Sequence, residues 1–278
     1  MFIEDDGIPL SLVLEKPESP DPCPLVILLH GFGSTKERLH NVRAAEAMRS
    51  AGFATIRMDL YGHGESGGEF RRHTLWKWIS NVMTVIAYAG SLDFVTEIFL
   101  SGHSQGGLVA ALTAGMEPDR IRGLILRAPA FMIPQGARDG VLLGAHFDPD
   151  HVPDFPGDTG NRALDGEYIR VAQTVHPEEA MDRFRGPVLI LHGDEDDVVP
   201  AEESVKAAER YTDCELAVIR GETHHFDRRP EEMTRLIRSF CERDILTFQM
   251  TNVSEGIQIP CSVDHLQSLF NRNIARIR

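Results

Sequence analysis

The sequence is poor in cysteine and in basic residues. Its four cysteines, Cys23, Cys214, Cys241 and Cys261, are far apart and form no C-x-x-C pair, which argues against both a disulfide framework and a zinc site. Lysine and arginine number 28 against 42 acidic residues, a formal charge of −14. Nucleic acid and anionic membrane surfaces need clustered Lys and Arg, so neither is expected as a partner. The start, Met1-Phe2-Ile3-Glu4-Asp5-Asp6, is acidic and has no apolar core of signal-peptide length, so the chain reads as cytoplasmic. What remains, 278 residues with 42% hydrophobic and 25% charged, suits one large α/β domain and requires no second.

Strand and helix patterns alternate along the chain. The run Leu25-Val26-Ile27-Leu28-Leu29 predicts a strand covered on both faces. A helix is expected over 36–50, where Leu39, Val42, Ala45 and Met48 recur by threes before Gly52. The pattern continues with a strand over 53–60, a helix over 74–89, a strand ending at Gly102, a helix from Gln105 and a strand over 123–126. After a long irregular insertion come a strand over 187–191, a helix over 201–211, a strand over 216–219 and a closing helix over 230–243. Such alternation implies a mostly parallel, doubly wound sheet with ligands bound beyond the carboxyl ends of its strands.

One strand-to-helix turn has the form of a nucleophile elbow: Gly102-His103-Ser104-Gln105-Gly106. Glycines at its ends spare a Cβ where two turns of chain meet, and the strained serine is lifted toward solvent. The helix beginning after Ser104 aims its unpaired N–H groups at an oxyanion formed there, with the Gln105 N–H best placed. By the motif alone, a glycine-rich turn whose serine is only a cap would look the same.

Three more groups follow predicted strands. His30-Gly31-Phe32-Gly33 lies where a second oxyanion donor is expected, and the Phe32 N–H is the candidate. In His192-Gly193-Asp194-Glu195-Asp196-Asp197-Val198-Val199-Pro200, Asp196 is chosen to orient an imidazole, with Asp197 the runner-up. In Gly221-Glu222-Thr223-His224-His225-Phe226, His224 is chosen as the base and His225 is the fallback. Ser104, Asp196 and His224 thus stand in the order nucleophile, acid, histidine.

Two motifs look similar in the wrong surroundings. Gly64-Glu65-Ser66-Gly67-Gly68 fits G-x-S-x-G, and Gly62-His63-Gly64-Glu65-Ser66-Gly67 fits G-x-G-x-x-G. No helix follows until about Thr74, so a surface loop beside the active-site mouth is expected instead. His146, Asp148, Asp150 and His151 could be written as metal ligands, but the proline-rich setting favours a structured turn, and no metal is assigned.

On His30-Gly31-Phe32-Gly33, Asp59-Leu60-Tyr61-Gly62-His63-Gly64-Glu65-Ser66, Gly102-His103-Ser104-Gln105-Gly106-Gly107, His192-Gly193 through Asp196 to Pro200, and His224 with Phe226, the chain resembles the α/β-hydrolase superfamily over 24–245. Within it, the elbow and the stretches Asp148-Pro149-Asp150-His151-Val152-Pro153-Asp154 and Gly166-Glu167-Tyr168-Ile169-Arg170-Val171-Ala172-Gln173 are similar to bacterial cinnamoyl (feruloyl) esterases. The resemblance implies an α/β-hydrolase core over 1–130 and 186–246, a cap over 131–185 that receives the acyl group, and Tyr168 as a phenol-binding residue. That group carries polar residues in its early cap. This chain offers Phe131, Met132, Ile133, Leu142 and Leu143 there, with Phe131 and Leu143 the substrate-binding candidates. Burying a phenol hydroxyl without a partner costs a few kcal/mol, so an aryl or medium-chain acyl ester is the better fit.

The expected activity is ester hydrolysis through an acyl-enzyme, on a small-molecule ester and with no cofactor. Thioesterase, peptidase and haloperoxidase activities use the same triad, and a ligand-binding receptor without turnover belongs to another class. In the tail, 247–278, Val263, Leu266, Phe270, Ile274 and Ile277 repeat at helical spacing, and a homodimer contact is one use for them.

Overall fold

Asp6 and Gly7 both adopt left-handed φ, 48° and 77°, the pair of conformations that a two-residue hairpin turn requires. They fold β1 (Phe2–Asp5) antiparallel onto β2 (Ile8–Glu15). This hairpin is absent from the sequence reading, although its Asp-Gly step is a recognised hairpin signal. The structure, a computed structural model, describes residues 1–18, 22–155 and 163–254. The chain forms two units, Met1–Ser239 and Phe240–Arg278, and every site residue below lies in the first.

From β3 (Cys23–Leu29) the expected alternation sets in: α1 (Leu39–Ser50), β4 (Ala54–Met58), α2 (Leu75–Gly90), β5 (Val95–His103), α3 (Gln105–Met116) and β6 (Gly123–Arg127). The insertion follows, with α4 (Ile133–Arg138), a small hairpin of β7 (Val141–Leu142) and β8 (Ala145–His146), α5 (Gly166–Thr174) and α6 (Pro177–Arg183). The chain returns through β9 (Val188–Gly193), α7 (Ala201–Arg210), β10 (Cys214–Ile219) and α8 (Pro230–Ser254).

Eight strands make one sheet in the order β1-β2-β4-β3-β5-β6-β9-β10. β2 pairs antiparallel with β4, and the ladders from β4 to β10 are all parallel. Every residue of β4, β6 and β9 is buried; β6 and β9 accordingly read as apolar runs, whereas β4 alternates, with Thr55 and Arg57 buried and Arg57 bonded to Glu37. Helix α3 is buried from Gln105 through Gly115. Small residues let it lie close under its neighbours, and with no solvent face it has no amphipathic stripe to read.

Three expectations are corrected. α1 starts at Leu39 and not Lys36, because the Lys36 N–H and ammonium are both bonded to Asp59 at 2.7 Å. The insertion is not irregular: it holds three short helices and a hairpin. α8 runs past residue 243 to Ser254, and the helix expected in the tail lies outside the described residues. No helix among the described residues is long and apolar enough to cross a membrane.

Candidate active site

Ser104 sits at φ 55°, ψ −123°, between the last residue of β5 and the first of α3. Such a left-handed conformation is costly for a residue with a Cβ and persists only where the surroundings enforce it. Here a Cβ at Gly102 would fall on the Gly106 carbonyl, and one at Gly106 on the His30 carbonyl. The Ser104 N–H donates to the Arg127 carbonyl at 2.9 Å, and its own carbonyl accepts from Gly107, Leu108 and Ala130. The hydroxyl makes no capping bond to the helix it opens. Backbone therefore does all the anchoring, and the side chain is left for chemistry.

The loop after β3 is held from below by the Asp59-to-Ser66 loop. Buried His30 donates Nδ1–H to the Gly31 carbonyl at 2.8 Å and accepts the Leu60 N–H on Nε2 at 3.0 Å. Burial pulls its pKa down to about 4, so the ring stays neutral and able to accept. Gly33 N–H donates to His63 Nε2 at 3.1 Å. Asp59 binds the Lys36 ammonium, and Glu65 binds it from the other side at 2.6 Å. The two look-alike motifs thus form neither an elbow nor a nucleotide cradle. They make a brace that fixes Phe32 beside Ser104 on the wall of one cavity.

The Asp196 side chain is buried, and both its oxygens are used. Oδ1 accepts the Val198 and Val199 N–H groups at 2.9 Å each. Oδ2 accepts from His224 Nδ1 at 2.7 Å and lies 3.1 Å from His192 Nε2. Burial alone would push this carboxyl up, but the bonds from His192, His224 and Val199 outweigh it and hold the pKa well below the usual carboxylate range. Asp197 is exposed, and so is His225. His224 is therefore the histidine that faces the acid. Its loop is drawn tight by buried Glu222, whose carboxylate accepts the N–H groups of Thr223, Arg228 and Arg229. His103 Nε2–H donates to the His224 carbonyl at 2.8 Å, tying the backbone of His224 to the elbow.

Ser104, Gln105, Phe32 and His224 line one cavity of about 560 Å³, a size suited to a small-molecule ligand. Gln105 opens α3, so its N–H has no intrahelical partner. What joins His224 to Ser104 here is the shared cavity wall and not a hydrogen bond. Such contacts commonly tighten only when substrate binds.

The family model described as "Serine aminopeptidase, S33" matches residues 20–159. Est1E from Butyrivibrio proteoclasticus, solved with ferulic acid bound, superimposes with a TM-score of 0.86 at 46% identity, covering 88% of this chain and 99% of that one. The chain is an α/β-hydrolase. Mitochondrial palmitoyl-protein thioesterase ABHD10 of Rattus norvegicus is 26% identical over 263 residues, covering 87% of this chain and 84% of the relative. A monoacylglycerol lipase of Mycolicibacterium smegmatis is 26% identical over 246 residues, covering 76% of this chain and 85% of the relative.

The hydrolase places one of the three substrate-binding candidates on the cavity wall and two off it. Leu143 lines the cavity. Phe131 is packed in the hydrophobic core instead. Tyr168 is fully buried and donates its hydroxyl to Gln105 Oε1 at 2.7 Å, off the cavity wall. It tethers the insertion to the elbow, and burial pushes its phenol pKa up. His151 and Asp148 pair at 3.0 Å in an exposed turn. The ring nitrogens of His40, His103 and His225 lie within 4.8 Å of one another. His40 Nδ1, however, accepts from the buried Arg127 guanidinium at 3.1 Å, and that cation opposes a metal ion beside it.

Because the folded hydrolase holds Asp196 ionised below the range of an unfolded aspartate, the stability this carboxylate contributes is complete above about pH 4 and is lost as pH falls. The stability gap between the native protein and Asp196→Asn, measured by chemical denaturation, is expected to hold above about pH 4 and to shrink as the pH falls below it. A gap that stays constant would rule out the ionised Asp196 carboxylate as its source.

Proposed function

We propose that this α/β-hydrolase is a carboxylesterase that works through an acyl-enzyme on Ser104. His224, oriented by Asp196, takes the serine proton as Oγ attacks the ester carbonyl, forming a tetrahedral intermediate. The N–H groups of Phe32 and Gln105 receive the oxyanion, each worth roughly 3 kcal/mol in the barrier. Collapse returns the proton to the departing alcohol, and water then repeats the sequence in reverse to release the acid. The insertion between β6 and β9 acts as a cap over the acyl group. The observation that carries this reading is the buried Asp196–His224 bond of 2.7 Å on a cavity whose wall includes a strained serine with an uncommitted hydroxyl.

An acyl thioester is the second substrate class, favoured by the likeness to palmitoyl-protein thioesterases. The same nucleophile and oxyanion donors serve both. A fluorophosphonate probe is expected to label the protein once, at Ser104, as read by mass spectrometry of the digest. No adduct, or an adduct elsewhere, would end the proposal. Comparing p-nitrophenyl butyrate with a butyryl thioester then separates the two classes.

A further inference from the structure

Resting on the esterase reading above, we infer that the β7–β8 hairpin and the start of α4 select the acyl group, and that they select an aliphatic chain over a hydroxycinnamoyl group. The polar side chains on the cavity wall come from the elbow, the loop after β3, the start of α1 and the loop after β10: Ser34, His40, His103, Ser104, Gln105 and the histidine pair. The insertion's contribution is of another kind. Met132, Ile133, Val141, Leu142 and Leu143 line the cavity with glycines between them, and among the described residues no side chain there carries nitrogen or oxygen.

The polar groups nearest to that wall are engaged elsewhere. Gln135 donates to Asp139 at 2.7 Å on the exposed side of α4. Arg138 donates to the Gln173 and Val175 carbonyls at 3.3 and 3.2 Å. The Tyr168 hydroxyl is bound to Gln105. A phenol reaching this wall would give up its water and find no side-chain partner among the described residues of the insertion, which disfavours it. A methylene chain gains from the same dry surface at every carbon.

The hairpin carries a second sign of selection. Its turn is Leu143-Gly144, with φ of 51° and 83°. Glycine or asparagine is the usual occupant of a left-handed turn position, and a leucine there is strained. Leu143 is half-buried and on the cavity wall. Retaining a branched apolar side chain where the backbone disfavours it fits a residue held for its contact with ligand.

The test uses the full chain and two methyl esters, octanoate and ferulate, together with p-nitrophenyl esters of increasing length. From acetate to hexanoate, kcat/KM is expected to rise by up to about fourfold per methylene. Methyl octanoate should exceed methyl ferulate by roughly tenfold or more. Leu143→Asn suits the turn better, so its melting temperature should equal or exceed that of the native protein, while the octanoate-to-ferulate ratio of kcat/KM falls roughly tenfold. Leu143→Gly should move the ratio in the same direction. Equal or faster hydrolysis of methyl ferulate by the native protein, or a ratio unchanged in both variants, overturns the inference. Fluorophosphonate labelling keeps the two levels apart: labelling at Ser104 with a ferulate preference removes only this selectivity, and failure to label removes the esterase reading beneath it.

Discussion

Ser104→Ala is expected to lower kcat toward p-nitrophenyl butyrate by about a millionfold, the scale seen when a triad serine is removed from other enzymes. At about 1.4 kcal/mol per factor of ten, that is roughly 8 kcal/mol of transition-state stabilisation. The fold should scarcely notice. The hydroxyl caps nothing, and the bonds that hold residue 104 in place run through its backbone N–H and carbonyl, which alanine keeps. Alanine also keeps the Cβ, so the left-handed strain at φ 55° is neither relieved nor increased. A thermal melt within a degree or two of the native protein should therefore accompany the loss of turnover. A variant that keeps more than about a hundredth of the native rate would displace Ser104 as nucleophile.

Asp59→Ala should have the largest effect on stability, at about 3–5 kcal/mol in denaturant unfolding. Lys36 and Asp59 side chains are 3% and 1% exposed and meet at 2.7 Å. Removing the carboxylate takes one partner from a buried ammonium and also strips the Lys36 and Glu65 N–H groups of theirs. Glu65 remains as a partner for the ammonium, but it is largely exposed and cannot reach the Lys36 N–H. The damage lands on the loop that carries Phe32, so the variant's residual activity should fall as well, through a loosened oxyanion donor. A loss under about 1 kcal/mol would mean that the loop is held by the histidine bonds to Leu60 and Gly33 and that the ion pair is incidental.

Together these two sites show how the fold divides its work. The strain at Ser104 is sustained by glycines that permit close approach and by carbonyls that hold the turn, and none of that depends on the serine hydroxyl. The brace under the loop that carries Phe32 depends on buried charge, and it is made from the Gly62-His63-Gly64-Glu65-Ser66 segment, whose motif invites a different reading. Its glycines give tight turns around Asp59: a Cβ at Gly64 would fall on the Asp59 carboxylate. Glycine spacing alone cannot distinguish a loop wrapped around a carboxylate from one wrapped around a phosphate.

The alternation of β3 to β6 and β9 to β10 with helices was legible because strands buried on both faces, such as β3, β6 and β9, leave apolar runs, and that pattern is local. The elbow was equally legible, since Gly102 answers a steric demand from Gly106 only four positions away, although Gly106 itself answers the remote His30 carbonyl. The amino-acid sequence by itself thus determined the parallel sheet, the strained serine and the loops from which acid and base would come. Which side chains within those loops meet was decided only by the tertiary structure. Asp196 faces His224 because the Val198 and Val199 N–H groups take its other oxygen, and His224 turns inward because Glu222 gathers the backbone on either side of it. The same holds for Tyr168, whose hydroxyl meets Gln105 across 63 residues of chain. A side chain's direction in a loop follows from bonds to partners remote in sequence, and residue order carries no record of those directions.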